Sequence, residues 1–261
     1  FFSHLRPRRM PLGLDVRAVP ADAWDIVSDL VAADTLCRVC RGLREVLGRR
    51  YVTVSGSPSV EQLETILGTV RAITLSWDQE PPDHSCFAKI MTALGEAPRL
   101  KTLTVQTRLQ RYRWEPLPPG RYSADDLLIM PQLQPLTPLG ASSSLHGLAL
   151  HLRAGDFGDS DVPPILGPLS AVRPLRSLTL DLFDNQLETP GAQALVAILT
   201  AIPGLCALHL NMGYNALDCT GAKALAGLKN APALETLSLQ LLGANLGLDA
   251  AQALSGLKDA P

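Results

Sequence analysis

One spacing constrains this chain more than anything else in it. Leu145, Leu148, Leu150 and Leu152 recur as Leu175, Leu178, Leu180 and Leu182, then as Leu205, Leu208, Leu210 and Met212. They return once more as Leu234, Leu237, Leu239 and Leu241, the successive shifts being 30, 30 and 29 residues. The same frame reaches back through Leu100, Leu103 and Val105 to Val70, Ile73, Leu75 and Trp77. Asn185 and Asn215 hold a further common position, taken by Ala244 in the last unit. Gly191-Ala-Gln-Ala-Leu195 comes back as Gly221-Ala-Lys-Ala-Leu225 and, degraded, as Ala250-Ala-Gln-Ala-Leu254. A module this short cannot bury its apolar side alone, so such modules must stack on one another.

The period has a direct physical reading. Leucines at alternate positions turn one face of a short strand inward. The Gly-Ala-x-Ala-Leu stretch supplies a helix with a narrow apolar stripe, and Phe87, Ile90, Met91 and Leu94 do the same earlier in the chain. Strands joined by helical crossovers lie parallel. The prolines before the strands (Pro98, Pro174, Pro203, Pro232) end the helices. The asparagine after each strand is expected to turn inward and satisfy the backbone of a tight turn.

These residues resemble the leucine-rich-repeat family, in particular its long, helix-containing class typified by ribonuclease inhibitor. The resemblance covers residues 51–261 and implies an α/β solenoid: a curved parallel sheet with helices on the convex side. The units depart from that class in being one or two residues longer, with an extra apolar step in the strand. That step either lengthens the strand or forms a bulge.

Residues 1–18 read as an extended basic segment carrying Arg6, Arg8 and Arg9, and residues 19–50 as a small helical cap. In the cap, Trp24, Val27, Leu30 and Val31 form one apolar stripe and Leu36, Val39, Leu43 and Leu47 a second. This segment resembles the F-box, which docks on the adaptor of cullin-type ubiquitin ligases. The matching residues are Val19-Pro20, Trp24, Ile26-Val27, Leu30, Leu36 and Val39-Cys40-Arg41. The stretch from Asp34 to Cys40 is shorter than usual, and Val19 stands for the customary leucine. The resemblance makes Trp24, Val27, Leu30 and Leu36 the candidates for adaptor docking. The other reading is a cap that shields the open edge of the solenoid.

Composition limits the function classes. The formal net charge is −2 with the charges interspersed, which argues against a nucleic-acid binder. No apolar run is long enough to span a bilayer. An odd count of 5 cysteines, mostly where small apolar residues belong, points to a reducing, intracellular setting, cytoplasm or nucleus. The basic start leaves organelle import open. Lys258-Asp-Ala-Pro261 repeats Lys229-Asn-Ala-Pro232, after which the next strand begins. The expectation is therefore that the natural chain continues or that a partner covers this edge.

Two regions are candidates for partner contact. Residues alternating with the inward leucines must line the concave face. One column runs Thr74, Thr104, Ala149, Thr179, His209, Ser238, and the next runs Ser76, Gln106, His151, Asp181, Asn211, Gln240. The second region is an insertion at about 108–144, where Leu100 and Leu145 are 45 residues apart instead of 30. It carries Arg111, Tyr112, Arg113, Trp114, Arg121 and Tyr122, residue types that dominate interface hot spots. It either contacts a partner or folds onto the solenoid edge with Trp114 buried.

Enzyme chemistry finds little purchase. His151, Asp181 and His209 can converge on neighbouring strands, but a metal or acid–base site needs a further ligand or a nucleophile. Cys37 and Cys40 have metal spacing without a second pair. No glycine-rich phosphate loop or nucleophile elbow is present. The sequence therefore describes a non-enzymatic scaffold without cofactor or metal that binds one or more proteins, as an accessory or structural subunit of a larger assembly. The alternative is an F-box-type substrate receptor.

Overall fold

The computed structural model describes residues 50–56, 60–77, 84–108, 136–154, 157–244 and 247–259. The chain divides into two compact units, 1–52 and 53–261. Nearly all of the described residues belong to the second, an α/β solenoid of the leucine-rich-repeat kind.

Its strands are β1 (Tyr51–Ser55), β2 (Ala72–Trp77), β3 (Thr102–Arg108), β4 (Gly147–Arg153), β5 (Ser177–Asp181), β6 (Ala207–Asn211) and β7 (Thr236–Gln240). They form one sheet in strict chain order, β1-β2-β3-β4-β5-β6-β7. Pairing from β2 to β7 is parallel, and the register follows the repeat frame: Ile73, Leu103, Leu148, Leu178, Leu208 and Leu237 stand side by side. β1 is not marked by the leucine frame; its Tyr51-Val-Thr-Val54 core is β-branched and aromatic instead.

Between the strands run α1 (Val60–Leu67), α2 (His84–Glu96), α3 (Val162–Leu166), α4 (Thr189–Thr200) and α5 (Cys219–Leu225), and α6 (Leu248–Ser255) follows β7. They cover the face of the sheet on which the leucines point. Leu148, Leu150, Leu178, Leu180, Leu208 and Leu210 are each 2% exposed or less, as are Leu195 of α4 and Leu225 of α5. Burying each such side chain stabilises the stack by about 1.5–3 kcal/mol before entropy is counted. Some units replace helix with 3-10 turns, at Thr137–Ala141, Gly167–Ala171 and Ala226–Asn230. In α3 the reason is local, because Pro168 has no N–H to extend the helix and the chain tightens after Leu166.

The extra apolar step lengthens the ladder without a bulge. Leu152, Leu182 and Met212 are buried like the leucines before them. The Leu182 N–H donates to the Asn211 carbonyl at 2.8 Å and the Met212 N–H to the Gln240 carbonyl at 2.9 Å, continuing the register past the strand ends. The turn that follows passes through a left-handed residue in every unit from β4 onward: Ala154 (φ 51), Asp184 (φ 58), Tyr214 (φ 54) and Gly243 (φ 78).

The inward asparagines then close these turns, as their spacing suggests, but largely for the neighbouring unit. Asn215 donates to the Leu182 carbonyl at 2.8 Å and to Met212 at 3.0 Å, and accepts from the Leu187 N–H at 3.0 Å. Asn185 donates to Leu152 at 2.7 Å and accepts from the Phe157 N–H at 3.0 Å.

The scaffold brackets the insertion tightly. Arg108 is the last residue of β3, while Leu136 and Leu139 are already buried. Gly95 at the end of α2 lies so close to the Pro138 carbonyl that a Cβ there would overlap it. Among the described residues no helix is long and apolar enough to cross a membrane.

Candidate functional site

The alternation that buries the leucines leaves the intervening side chains on the other face of the sheet. Both expected columns form there in unbroken register. Thr74, Thr104, Ala149, Thr179, His209 and Ser238 pair strand to strand, as do Ser76, Gln106, His151, Asp181, Asn211 and Gln240. Most of these side chains are half-buried, His209 and Gln240 are exposed, and Asp181 is buried.

Asp181 is the hub of the second column. Its Oδ1 accepts from Asn211 Nδ2 at 3.0 Å, and its Oδ2 accepts from Arg153 Nε and lies 3.5 Å from His151 Nδ1. A carboxylate at 5% exposure is costly unless partnered, and here both oxygens are claimed. Asn211 is itself fixed, its Oδ1 accepting from the Gly213 N–H at 3.1 Å. His209 lines the same groove without bonding Asp181. Of the three residues expected to converge, His151 and Asp181 are thus in contact, and His209 lines the groove without joining them. Among the described residues no three His, Cys, Asp or Glu side chains are placed to hold a metal.

Around Asp181 the sheet forms an open groove of about 390 Å³, lined chiefly by Arg153, Thr179, Asp181, His209, Ser238 and Gln240. Arg153, which lines the groove, also opens a third column that the first two leave out: two positions beyond His151, Asp181, Asn211 and Gln240 stand Arg153, Phe183, Gly213 and Leu242. Its signal was present in the same 30-residue frame. Arg108 and Arg153 are register partners. The Arg153 guanidinium lies 5.6 Å from the Phe183 ring centroid, and Tyr214 meets Phe183 edge-on at 5.1 Å.

Tyr214 occupies the left-handed position that Gly243 fills in the next unit, and it leaves 55% of its surface in solvent beside Leu242 at 65%. A bulky side chain is costly in that backbone conformation, where glycine is free of penalty. Neither burial nor propensity accounts for it.

The other candidates fall elsewhere. Trp24, Val27, Leu30 and Leu36, the pair Cys37 and Cys40, and Arg111, Tyr112, Arg113, Trp114, Arg121 and Tyr122 all lie outside the described residues. Cys206 is a half-buried filler whose thiol donates to the Gly204 carbonyl at 3.3 Å.

No protein-family model and no curated protein sequence matches the chain. Among solved structures it is similar to a tropomodulin C-terminal domain from Caenorhabditis elegans (8% identity, 78% of this chain and 93% of that one, TM-score 0.42). It is also similar to actin-binding site 2 of leiomodin-1 (12% identity, 77% and 86%, TM-score 0.39) and to a Bacteroides fragilis protein (13% identity, 92% and 81%, TM-score 0.35). Likenesses this distant carry nothing about what this chain binds.

Proposed function

We propose that this protein is a non-enzymatic protein–protein interaction scaffold, an accessory or structural subunit of a larger assembly, and that it holds its partner on the open face of the sheet. The observation that supports this reading is the pair of polar columns running through six strands in one register. A face of that extent, small-sided and polar, gives a partner a long contact area without demanding rearrangement.

The test places a photo-crosslinking amino acid at His209 or Ser238 on the sheet face, and at Gln193 or Lys223 on the helices, in the native assembly. Adducts to a co-purifying protein are expected from the first pair and not from the second; the reverse pattern overturns the reading. The F-box resemblance of residues 19–50 favours a second reading, a substrate receptor of a ubiquitin ligase. That reading requires co-purification of the ligase adaptor, lost on Trp24→Asp or Leu30→Asp.

A further inference from the structure

We propose that the groove around Asp181 takes an extended, carboxylate-bearing segment of the partner protein, with a carboxylate on Arg153 and a neighbouring apolar side chain on Tyr214 and Leu242. This rests on the reading of the sheet face as the binding surface and names the chemistry of what it binds.

Charge is the first argument. Among the described residues Asp181 is the one acid lining the groove, and it is buried and already engaged through both oxygens by Arg153, Asn211 and His151. What the groove offers outward is therefore donor-rich: the Arg153 guanidinium, the Thr179 and Ser238 hydroxyls and the Gln240 amide. The register sets a second arginine position, Arg108, beside Arg153.

Arg153 is also held ready. Its Nε is tied to Asp181 and its plane lies near the Phe183 ring, while 60% of the side chain stays exposed. A guanidinium fixed through Nε keeps its outer N–H pair free for the two-pronged geometry that carboxylates accept. Fixing it in advance lowers the ordering cost of binding.

Tyr214 is the second, independent argument. Its ring stands edge-on to Phe183, the ring that meets Arg153, and against Gly243, and it holds at φ 54 the left-handed position that Ala154, Asp184 and Gly243 fill in the other units. Strained, half-exposed aromatic side chains of this kind gather at contact sites.

The experiment uses the full chain and three fluorescein-labelled decapeptides in which leucine alternates with glutamate, glutamine or lysine, read by fluorescence anisotropy. The glutamate peptide is expected to bind at least about tenfold more tightly than the other two. Arg153→Gln and Tyr214→Gly are each expected to weaken it about tenfold. Tyr214→Gly relieves the left-handed backbone, so its melting temperature should not fall, which separates lost contact from lost fold.

Equal or tighter binding of the lysine or glutamine peptide overturns the inference, as does glutamate-peptide binding untouched by both substitutions or no binding of any peptide. In each of those cases crosslinks from His209 and Ser238 still uphold the sheet face as the binding surface. Crosslinks from the helices alone would bring down that underlying reading instead.

Discussion

Asp218 shows how a single side chain joins two modules. Its Oδ1 accepts from the N–H groups of Thr220 and Gly221, each at 2.8 Å, capping the short helix α5. The same oxygen accepts the hydroxyl of Thr189, at the start of α4, at 2.8 Å. The Gly221 N–H, then the Thr189 hydroxyl, hold the carboxyl below its ordinary value of 3.8. A lowered folded-state value means that the ionised form contributes stability above the ordinary carboxylate range, and that this contribution is lost as pH falls through the folded value. We expect the melting-temperature gap between the native protein and Asp218→Asn to shrink as pH drops from about 6 to about 3. A gap independent of pH over that range would refute the assignment. Asparagine is the right substitution because it keeps the capping acceptor while removing the charge.

At the scale of elements, the closeness of neighbouring layers is set by small residues. Gly95 lets the end of α2 sit against the backbone of the 3-10 turn Thr137–Ala141, where a Cβ would overlap the Pro138 carbonyl. Gly167 has nothing within 4 Å of its Cβ position. Gly95→Ala is therefore expected to destabilise by about 2 kcal/mol, and Gly167→Ala to be neutral or slightly stabilising, both by urea denaturation. Comparable losses at the two sites would count against close layer packing.

Elements also show what could be read in advance. Register was legible because a fixed period converts position directly into strand neighbours, so Asp181 beside His151 and Asn211 follows from spacing alone. β1 was not, since Tyr51-Val-Thr-Val54 carries strand propensity without the leucine frame. The 3-10 turns at Gly167–Ala171 and Ala226–Asn230 differ from helix by one hydrogen-bond step, which apolar periodicity does not resolve. Arg153 and Phe183 escaped for a different reason. They alternate in phase with the outward columns but fall beyond the three inward leucines that mark the strand. Tyr214 was legible only in part: the frame sets it level with Gly243, but Ala154 and Asp184 at the same position hide the left-handed turn.

Across the whole second unit, stability is a chain of nearest-neighbour contacts. Leu208 is fully buried between layers on both sides, while Leu237 and Leu239 in β7 are only half-buried. Leu208→Ala is expected to cost about 2–5 kcal/mol in chemical denaturation, and Leu237→Ala less than half as much, because a cavity opening to solvent loses fewer contacts. Equal costs would mean that something else covers the outer edge of β7 in solution.

The asparagine turns impose a direction on this stack. Asn185 finishes the turn after β4 and Asn215 finishes the turn after β5, each serving carbonyl and amide groups of the module before it. A module made by the ribosome thus remains incomplete until its successor has emerged. Nascent chains of this protein should mature in steps that trail synthesis by one repeat, so that a pause in translation just after β4 or β5 exposes an unfinished turn.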